Sequence, residues 1–340
     1  MIRQFDGLAR GKKFAGERGA ALLMVLWIFI FLFVVAFEFT SAVREEAAAA
    51  HRYRDETQGY YLAMAGFERG LYDLLHRQSG AGQLPQDPSK EDPFEGGWRD
   101  ESLGAATFRV RLIDQGGKIN INRVNEETLR RIFTNLGVEV PLRDILVDSI
   151  MDWRDPDDLH RTNGAESDYY LALTPPYTAK NGPFDSVEEM LWVRGVTAEL
   201  FYGYSDYDDL ARDNPRRIGL REIFTVDSPI DRVNLRTAGA EVIHALSGIS
   251  LEKCRAFVEE RKRLSDKTLA DMLPLLGLGS GDPMLQLFVF TNPSVIAVEA
   301  EGRPADSRQP RRIKGVVRLG GARGFELLRW LDRDTVLPQS

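Results

Sequence analysis

The sequence predicts an α+β protein in which one very long N-terminal helix packs on an antiparallel sheet and an all-helical domain is inserted between the strands. Three observations point there. Residues 20–37 are uncharged and apolar, and a helix-forming pattern without proline continues from them to about residue 77. Strand-like alternation occurs twice, at residues 107–113 and again after Pro293. Between those stretches, from Asn122 to about Leu285, apolar residues recur at 3–4 spacing in short runs that end at glycine.

The chain has 340 residues, enough for one large or two ordinary domains. With 43% hydrophobic and 28% charged residues it has the composition of a globular protein. Its net charge of −7 argues against a protein that coats nucleic acid. A single cysteine, Cys254, excludes an intrachain disulfide. That suits the cytoplasm, and equally a periplasmic protein with core enough to need no staples. The histidines His51, His76, His160 and His244 are scattered, and none pairs at helical ligand spacing.

Residues 1–19 form a basic leader, with Arg3, Arg10, Lys12, Lys13 and Arg18 against Asp6 and Glu17. The run AALLMVLWIFIFLFVVAF follows from Ala20 to Phe37, and 13 of its 18 residues are Leu, Ile, Phe or Val. At the helical rise it spans about 27 Å, near the hydrocarbon thickness of a bilayer, and those residues favour insertion by about 4 to 8 kcal/mol. Glu38 stands at the far edge, where a carboxylate reaches headgroups or water. The leader should stay cytoplasmic and the soluble part should lie outside. A secretory signal peptide is the rival reading, with Thr40-Ser41-Ala42 as its small-residue cleavage site. The helical pattern does not stop there, however. It runs on with Tyr61, Met64, Phe67, Leu71, Leu74 and Leu75 at 3–4 spacing, an apolar stripe for a domain to cover. One helix over residues 20–77 would be ~85 Å long.

Residues 79–105, rich in Gly, Pro, Asp and Ser, read as a loop. In 107–113, Phe108, Val110 and Leu112 alternate with Arg109 and Arg111, a half-buried strand. The Asp114-Gln115-Gly116-Gly117 turn leads to a second strand at 118–122. An internal repeat then emerges: Ile119-Asn120-Ile121-Asn122 precedes EETLRRIFTNLGV, and Val233-Asn234-Leu235 precedes AEVIHALSGIS. FDSVEEMLWVRGVT and KTLADMLPLLGLG read as further helix-glycine copies, the former with Asp185 and Glu188 as a capping box. Strands return at 294–299, 312–319 and 325–330. The expected divisions are a leader at 1–19, a membrane helix at 20–42, a sheet domain made of 43–120 and 291–340, and a helical domain at 121–290.

A basic leader ending in Arg18-Gly19, an apolar helix starting at Ala20 and its continuation into a soluble domain resemble the type IV pilin-like class. In that class a prepilin peptidase cuts after the glycine, here between Gly19 and Ala20, and the helix is retained. The glutamate usual at the fifth mature position is replaced by Met24. Together with DQGGKININ, DWRDPDDLHRTNGAESDYY, NGPFDSVEEMLWVRG, RVNLRTA and the late strands, this resembles the protein K family of type II (general) secretion, minor pseudopilins that lack that glutamate. The helix-glycine copies are similar to helix-hairpin-helix elements.

The resemblance implies a pilin-like fold and a structural, non-enzymatic subunit at the pseudopilus tip that helps initiate assembly and supports export. It implies prepilin cleavage, methylation and an inner-membrane helix (Ala20, Met24, Phe37) with a periplasmic domain. The implied partners are minor pseudopilins I, J and H, major pseudopilin G and the peptidase, with no nucleic acid.

Six carboxylates crowd residues 152–168: Asp152, Asp155, Asp157, Asp158, Glu166 and Asp168. They repel one another unless solvated or bound to a cation, and an all-oxygen set suits Ca²⁺. Counting Asp155 as position 1 of an EF-hand loop puts Asp157 at 3 and Glu166 at 12, but His160 replaces the glycine at 6, so this is no EF-hand. The resemblance implies calcium in the helical domain, and Asp155, Asp157, Glu166 and Asp168, with Asp152 next, are the candidate ligands. A solvated acidic loop with aspartates as helix caps is the plain alternative. Carboxylates holding Mg²⁺ for hydrolysis would need a nucleophile or general base, and none accompanies them.

Two other functions compete. A membrane-anchored helix-hairpin-helix DNA-binding protein needs amides exposed at Gly-aliphatic-Gly turns with Lys or Arg nearby. Of the turns at Gly137, Gly195, Gly248 and Gly277, only the last keeps both glycines, and Glu139 would repel phosphate. A secreted hydrolase would start near Val43 after signal cleavage.

Overall fold

The computed structural model describes residues 17–78, 94, 97–203, 218–262, 269–279, 281–305, 310–320 and 324–332. The leader up to residue 16 and most of the loop assigned to 79–105 lie outside the described residues. The chain divides into two compact units, Met1–Gln58 and Gly59–Ser340.

Helix α1 runs from Glu17 to Gln78, with Gly19 and Ala20 in its first turn. In the first unit its apolar residues from Leu22 to Phe39 are exposed. The span Leu22–His76 is long and apolar enough to cross a membrane, its best window reaching a mean hydropathy of 2.8 with none of it buried. It fits a single-pass anchor.

In the second unit, residues 59–78 of α1 lie on the sheet. Ala63, Phe67, Leu71 and Leu74 are buried against Val110, Leu112, Ile296, Val298, Ala300, Ile313 and Val317. The buried stripe runs through Ala63 rather than Tyr61, which is 66% exposed. Glycine sets the closeness of this contact. A methyl at Gly302 would lie 2.2 Å from the Gly59 carbonyl oxygen, and one at Gly70 would lie 2.9 Å from Val110 and Val298. Glycine inside a helix costs about 1 kcal/mol against alanine, so it persists where the backbone must touch a sheet.

The sheet is antiparallel throughout, in the order β1 (Arg99–Leu103), β2 (Ala106–Asp114), β7 (Val295–Arg303), β8 (Arg311–Leu319), β9 (Phe325–Leu331). β1 falls in the stretch expected to be loop. It is a polar edge strand, RDESL, with no alternation to betray it, and charge on an edge discourages pairing with another chain. The far face of the sheet carries a charge ladder set by register, Arg109–Glu301–Arg312 and Arg111–Glu299–Lys314 across three strands. Trp98 covers it, with the Arg109 and Arg111 guanidinium carbons each 4.6 Å from its ring centroid.

β2 and β7 are sheet neighbours, yet about 180 residues separate them, and the helical domain fills the gap. The strand expected at 118–122 does not join the sheet. It shortens to β3 (Ile119–Asn120), which pairs in parallel with β4 (Phe224–Thr225). β5 (Val233–Asn234) pairs likewise with β6 (Phe288–Val289). Each pair opens one half of the domain. In the first half α2 (Glu126–Asn135) and α3 (Val140–Arg154) follow; in the second, helices Ala240–Ser247 and Leu251–Lys262 follow. The halves share one core, with Leu129, Ile132, Phe133 and Ile150 meeting Val242, Ile243, Leu246 and Phe257.

The repeat extends to its polar locks. Asn120 donates Nδ2–H to the Ser228 carbonyl (2.8 Å) and accepts from the Asn122 N–H (2.9 Å). Asn234 donates to the Thr291 carbonyl (2.9 Å) and accepts from the Arg236 N–H (3.2 Å). At the end of the second helix of each half an arginine closes the unit. Arg154 donates to the Ile121 and Val124 carbonyls (2.6 and 2.7 Å), and Arg261 to those of Leu235 and Ala238 (2.7 and 2.9 Å). The glycines of all four turns, Gly137, Gly195, Gly248 and Gly277, adopt left-handed φ of 73 to 86°.

The remaining copies are shorter than expected. FDSVEEMLWV gives a 3₁₀ helix, Val187–Trp192, and LADMLPLL gives one helical turn, Leu269–Met272, followed by 3₁₀. The capping box lies one residue later than predicted, on Ser186 and Glu189.

Asp114, buried at the end of β2, joins the helical domain to the sheet. It accepts from Thr237 Oγ1–H (2.6 Å), Asn234 Nδ2–H (3.0 Å) and the Gly116 N–H (3.0 Å). Arg329 on β9 pairs with Asp227 at 3.1 Å.

Candidate metal centre

The centre is built where α3 ends. The apolar face of α3 (Leu146, Val147, Ile150, Trp153) enters the core and takes Asp148 and Asp152 into the interior with it. Asp155 caps the helix and donates its N–H to the Met151 carbonyl at 3.1 Å. The chain then loops through residues 156–165 and returns at Glu166, the N-cap of α4 (Ser167–Leu171).

Buried acids pin the loop. Asp152 Oδ2 accepts from the Arg161 N–H (3.2 Å), and Asp148 Oδ2 from the Asn163 N–H and Nδ2–H (3.0 Å each). Arg194 donates to the Gly164 carbonyl at 2.9 Å and lies 4.7 Å over the Tyr169 ring. Gly164 has no substitute here, because a methyl would fall 1.8 Å from Asp152 Oδ2.

Among the described residues, the pinned loop brings together Asp155, Asp157 and Glu166, with one carboxylate oxygen from each inside 4.8 Å of the others. These are the residues at positions 1, 3 and 12 of the loop count. Asp157 is exposed, whereas Glu166 is only 2% exposed. Neither Glu166 oxygen has a hydrogen-bond donor, nor does Asp155 Oδ1. A buried acceptor without a donor is costly, and ionised pairs at this separation repel by about 3 kcal/mol each at an effective dielectric near 20. The protonation equilibria express that cost. Burial, then the charges of Asp152, Asp155 and Asp158, push the Glu166 carboxyl up to about 7. Burial raises Asp155 and Asp152 as well, with Asp157 adding to the first.

The other two candidates stand apart. Asp152 faces the loop amides and acts on Glu166 through its charge. The Asp168 side chain is 72% exposed and pairs with His160 Nε2 at 2.9 Å, outside the trio. Sequence reasoning passed over Asp148, Gly164, Asn181 and Arg194. Asp148 had a signal, since Asp148, Asp152 and Asp155 follow one helix face at i, i+4 and i+7. Cys254 is buried, and burial pushes its thiol up to about 11, so it is no nucleophile.

Three hard oxygen donors, two of them lacking a donor of their own, are the chemistry of a site for a divalent cation such as calcium. Trp153, two residues before Asp155, belongs to an aromatic cluster. Trp153 meets Tyr170 edge-on at 5.3 Å and stacks on Phe184 at 6.4 Å.

A helix whose residues 59–78 lie on an antiparallel sheet, with a duplicated helical domain spliced between two neighbouring strands, makes a mixed helix-and-sheet fold. Residues 108–207 match the family model for protein K of the type II secretion system. The type II secretion system protein K of Pectobacterium carotovorum is 25% identical over 275 residues, covering 77% of this chain and 80% of that protein. That of Pseudomonas aeruginosa is 26% identical over 277 residues, 73% of each. The fold is shared with a chain in the crystal structure of the GspK-GspI-GspJ complex of the enterotoxigenic Escherichia coli type 2 secretion system. The TM-score is 0.59 at 18% identity, over 83% of this chain and 98% of that one. The chain is thus similar, over residues 108–207 by the family model and over about three quarters of its length by these relatives, to protein K of the type II secretion system.

Proposed function

We propose that this protein is the tip subunit of the pseudopilus, a structural component that carries out no chemistry, helps initiate assembly and supports export across the outer membrane. The observation that carries the reading is polarity within the sheet domain. Residues 59–78 of α1 enter it beside Gly302 and Arg311, at one end of β7. The helical domain departs from Asp114 and returns near Ile296, at the other end of β7. A sheet domain that receives residues 59–78 at one end and carries about 180 extra residues at the other can rest on subunits below it and has no place for one above. Met24, where pilins usually carry the glutamate that meets the next N-terminus, agrees with this.

The leader is removed by prepilin peptidase between Gly19 and Ala20, and the new N-terminus is methylated. The helix is held in the inner membrane with the domain in the periplasm. The partners are minor pseudopilins I and J, as the composition of the solved complex suggests, then H and the major pseudopilin G. The acidic loop holds calcium, with Asp155, Asp157 and Glu166 as ligands; the bound ion supplies the positive charge that these carboxylates lack and ties the end of α3 to the start of α4. N-terminal sequencing of the protein extracted from membranes tests the reading. A start at Ala20, with I and J co-purifying in one complex, is expected. A start near Val43 overturns it.

A further inference from the structure

Asn181 is the one described residue other than glycine with a left-handed backbone, at φ 49°. Its side chain reaches back across more than twenty residues to the acidic loop. Nδ2 donates to the Asp157 carbonyl at 3.0 Å and to Asp158 Oδ1 at 2.8 Å. The next residue, Gly182, donates its N–H to the Trp153 carbonyl at 3.3 Å, so the same stretch also grips α3. Asn181 Oδ1 is buried with no donor, as are both oxygens of Glu166, which is itself 2% exposed.

We propose that Asn181 is a positioning residue for the cation site: its carboxamide holds the Asp157-Asp158 turn so that the Asp157 carboxylate faces Asp155 and Glu166. The proposal rests on the calcium reading of that loop. The residue type follows from two demands. Left-handed φ is tolerated by glycine and, among residues with side chains, best by asparagine and aspartate. Glycine would offer no donor, and aspartate would set a second carboxylate against Asp158. Only asparagine supplies both the backbone and the two N–H groups. Without the clasp, Asp157 is an exposed side chain on a loop tip, and every cation bound must first order it.

The test is Asn181→Gly in the full chain, which keeps the backbone at ease and removes only the clasp. Calcium affinity is measured by titration calorimetry, the melting temperature in chelator, and hydrogen exchange at the Leu159 and Arg161 amides, which bond to Asp157 Oδ1 and Asp152 Oδ2. The proposal expects calcium affinity to fall about tenfold, those amides to exchange at least tenfold faster, and the calcium-free melting temperature to hold. Wild-type affinity with wild-type exchange overturns it, as does a fall in melting temperature with affinity unchanged, which would make Asn181 merely structural. If the wild-type chain itself takes up no calcium, the cation reading fails by that result alone, and exchange at Leu159 and Arg161 still decides whether Asn181 holds the loop.

Discussion

Two of the places where acidic side chains are buried among the described residues treat them oppositely. On β7, Glu301 accepts from Arg109 and Arg312, and Glu299 from Arg111, with Lys314 at 3.5 Å. Burial would raise both carboxyls. For Glu299 the charges of Lys314 and Arg111 outweigh it, for Glu301 the hydrogen bonds from Arg109 and Arg312 do, and both sit below the usual carboxylate range. In the loop, Glu166 is buried as deeply and Asp155 is half-buried, yet among the described residues no hydrogen-bond donor meets either Glu166 oxygen or Asp155 Oδ1. The chain has ample arginine and places it beside Asp152, Asp148 and Glu126 at the rim of the loop. Permanent neutralisation was therefore available. Leaving the trio without it makes sense where the neutralising charge comes and goes.

The largest effect should come from breaking the permanent arrangement. Glu301→Ala leaves two guanidinium groups facing each other under Trp98. Removing one partner of a fully buried pair costs ~3–5 kcal/mol. Arg109 and Arg312 are 36% and 38% exposed, so solvent softens the loss to about 2 kcal/mol or slightly more. Denaturant unfolding should report it equally with and without calcium.

The exchangeable arrangement should respond to the ion instead. A cation bound only by the folded chain stabilises by about 2.7 kcal/mol at a hundred times its Kd. Chelation should therefore lower the melting temperature by several degrees, with rescue by Ca²⁺ and not Mg²⁺. Trp153 lies between Asp152 and Asp155 on α3 and should report binding by fluorescence. Glu166→Gln should raise the melting temperature in chelator and remove most of the calcium response. Loss of stability in chelator would show that Glu166 has a partner of its own.

Acid should separate the two groups by sign. Glu299 and Glu301 are held low, so their contribution is complete above the unfolded carboxyl range, near 4.3, and is lost only as pH falls below it. Glu166 titrates at about 7 in the fold and near 4.3 in the unfolded chain. Between those values the folded state holds the extra proton, so calcium-free stability should fall as pH rises from about 4.5 to 7 and level off above. Saturating calcium should abolish that slope. A melting temperature independent of pH in that window, in chelator, would mean that the loop opens and solvates Glu166.

Much of this was legible from residues alone, for local reasons. The apolar run needs no context, and alternation in β2 records one wet and one dry face. The acidic loop was legible too, with Asp155, Asp157 and Glu166 at positions 1, 3 and 12, but residues alone offered Asp168 and Asp152 beside them. What escaped detection depends on distant partners. Arg154 and Arg261 look like ordinary helix-end arginines until their carbonyls, more than twenty residues upstream, are in view. Asp114 reads as a turn residue, and its work is with Thr237 and Asn234. β1 escaped because an edge strand guarded by charge resembles a loop. Asp168 stands apart from the trio because proximity in sequence stands in poorly for direction, and its side chain is exposed.

That last residue supplies the smallest prediction. Asp168 and His160 form an exposed pair two residues from Glu166, and solvent screens such a pair. Asp168→Ala should leave the melting temperature unchanged and calcium affinity within about twofold of the parent. Asp155→Ala, by contrast, removes one of the three converging oxygens and should weaken calcium at least tenfold. The two substitutions remove the same chemical group within one short loop, so the ratio of their effects measures direction rather than charge. If the loop gathered calcium only through its net negative potential, both would weaken binding alike, and adding salt would weaken it further. A tenfold loss in Asp168→Ala would place that carboxylate on the ion and make the site larger than the trio; a null effect beside a damaged Asp155→Ala confines coordination to the residues that the fold turns inward.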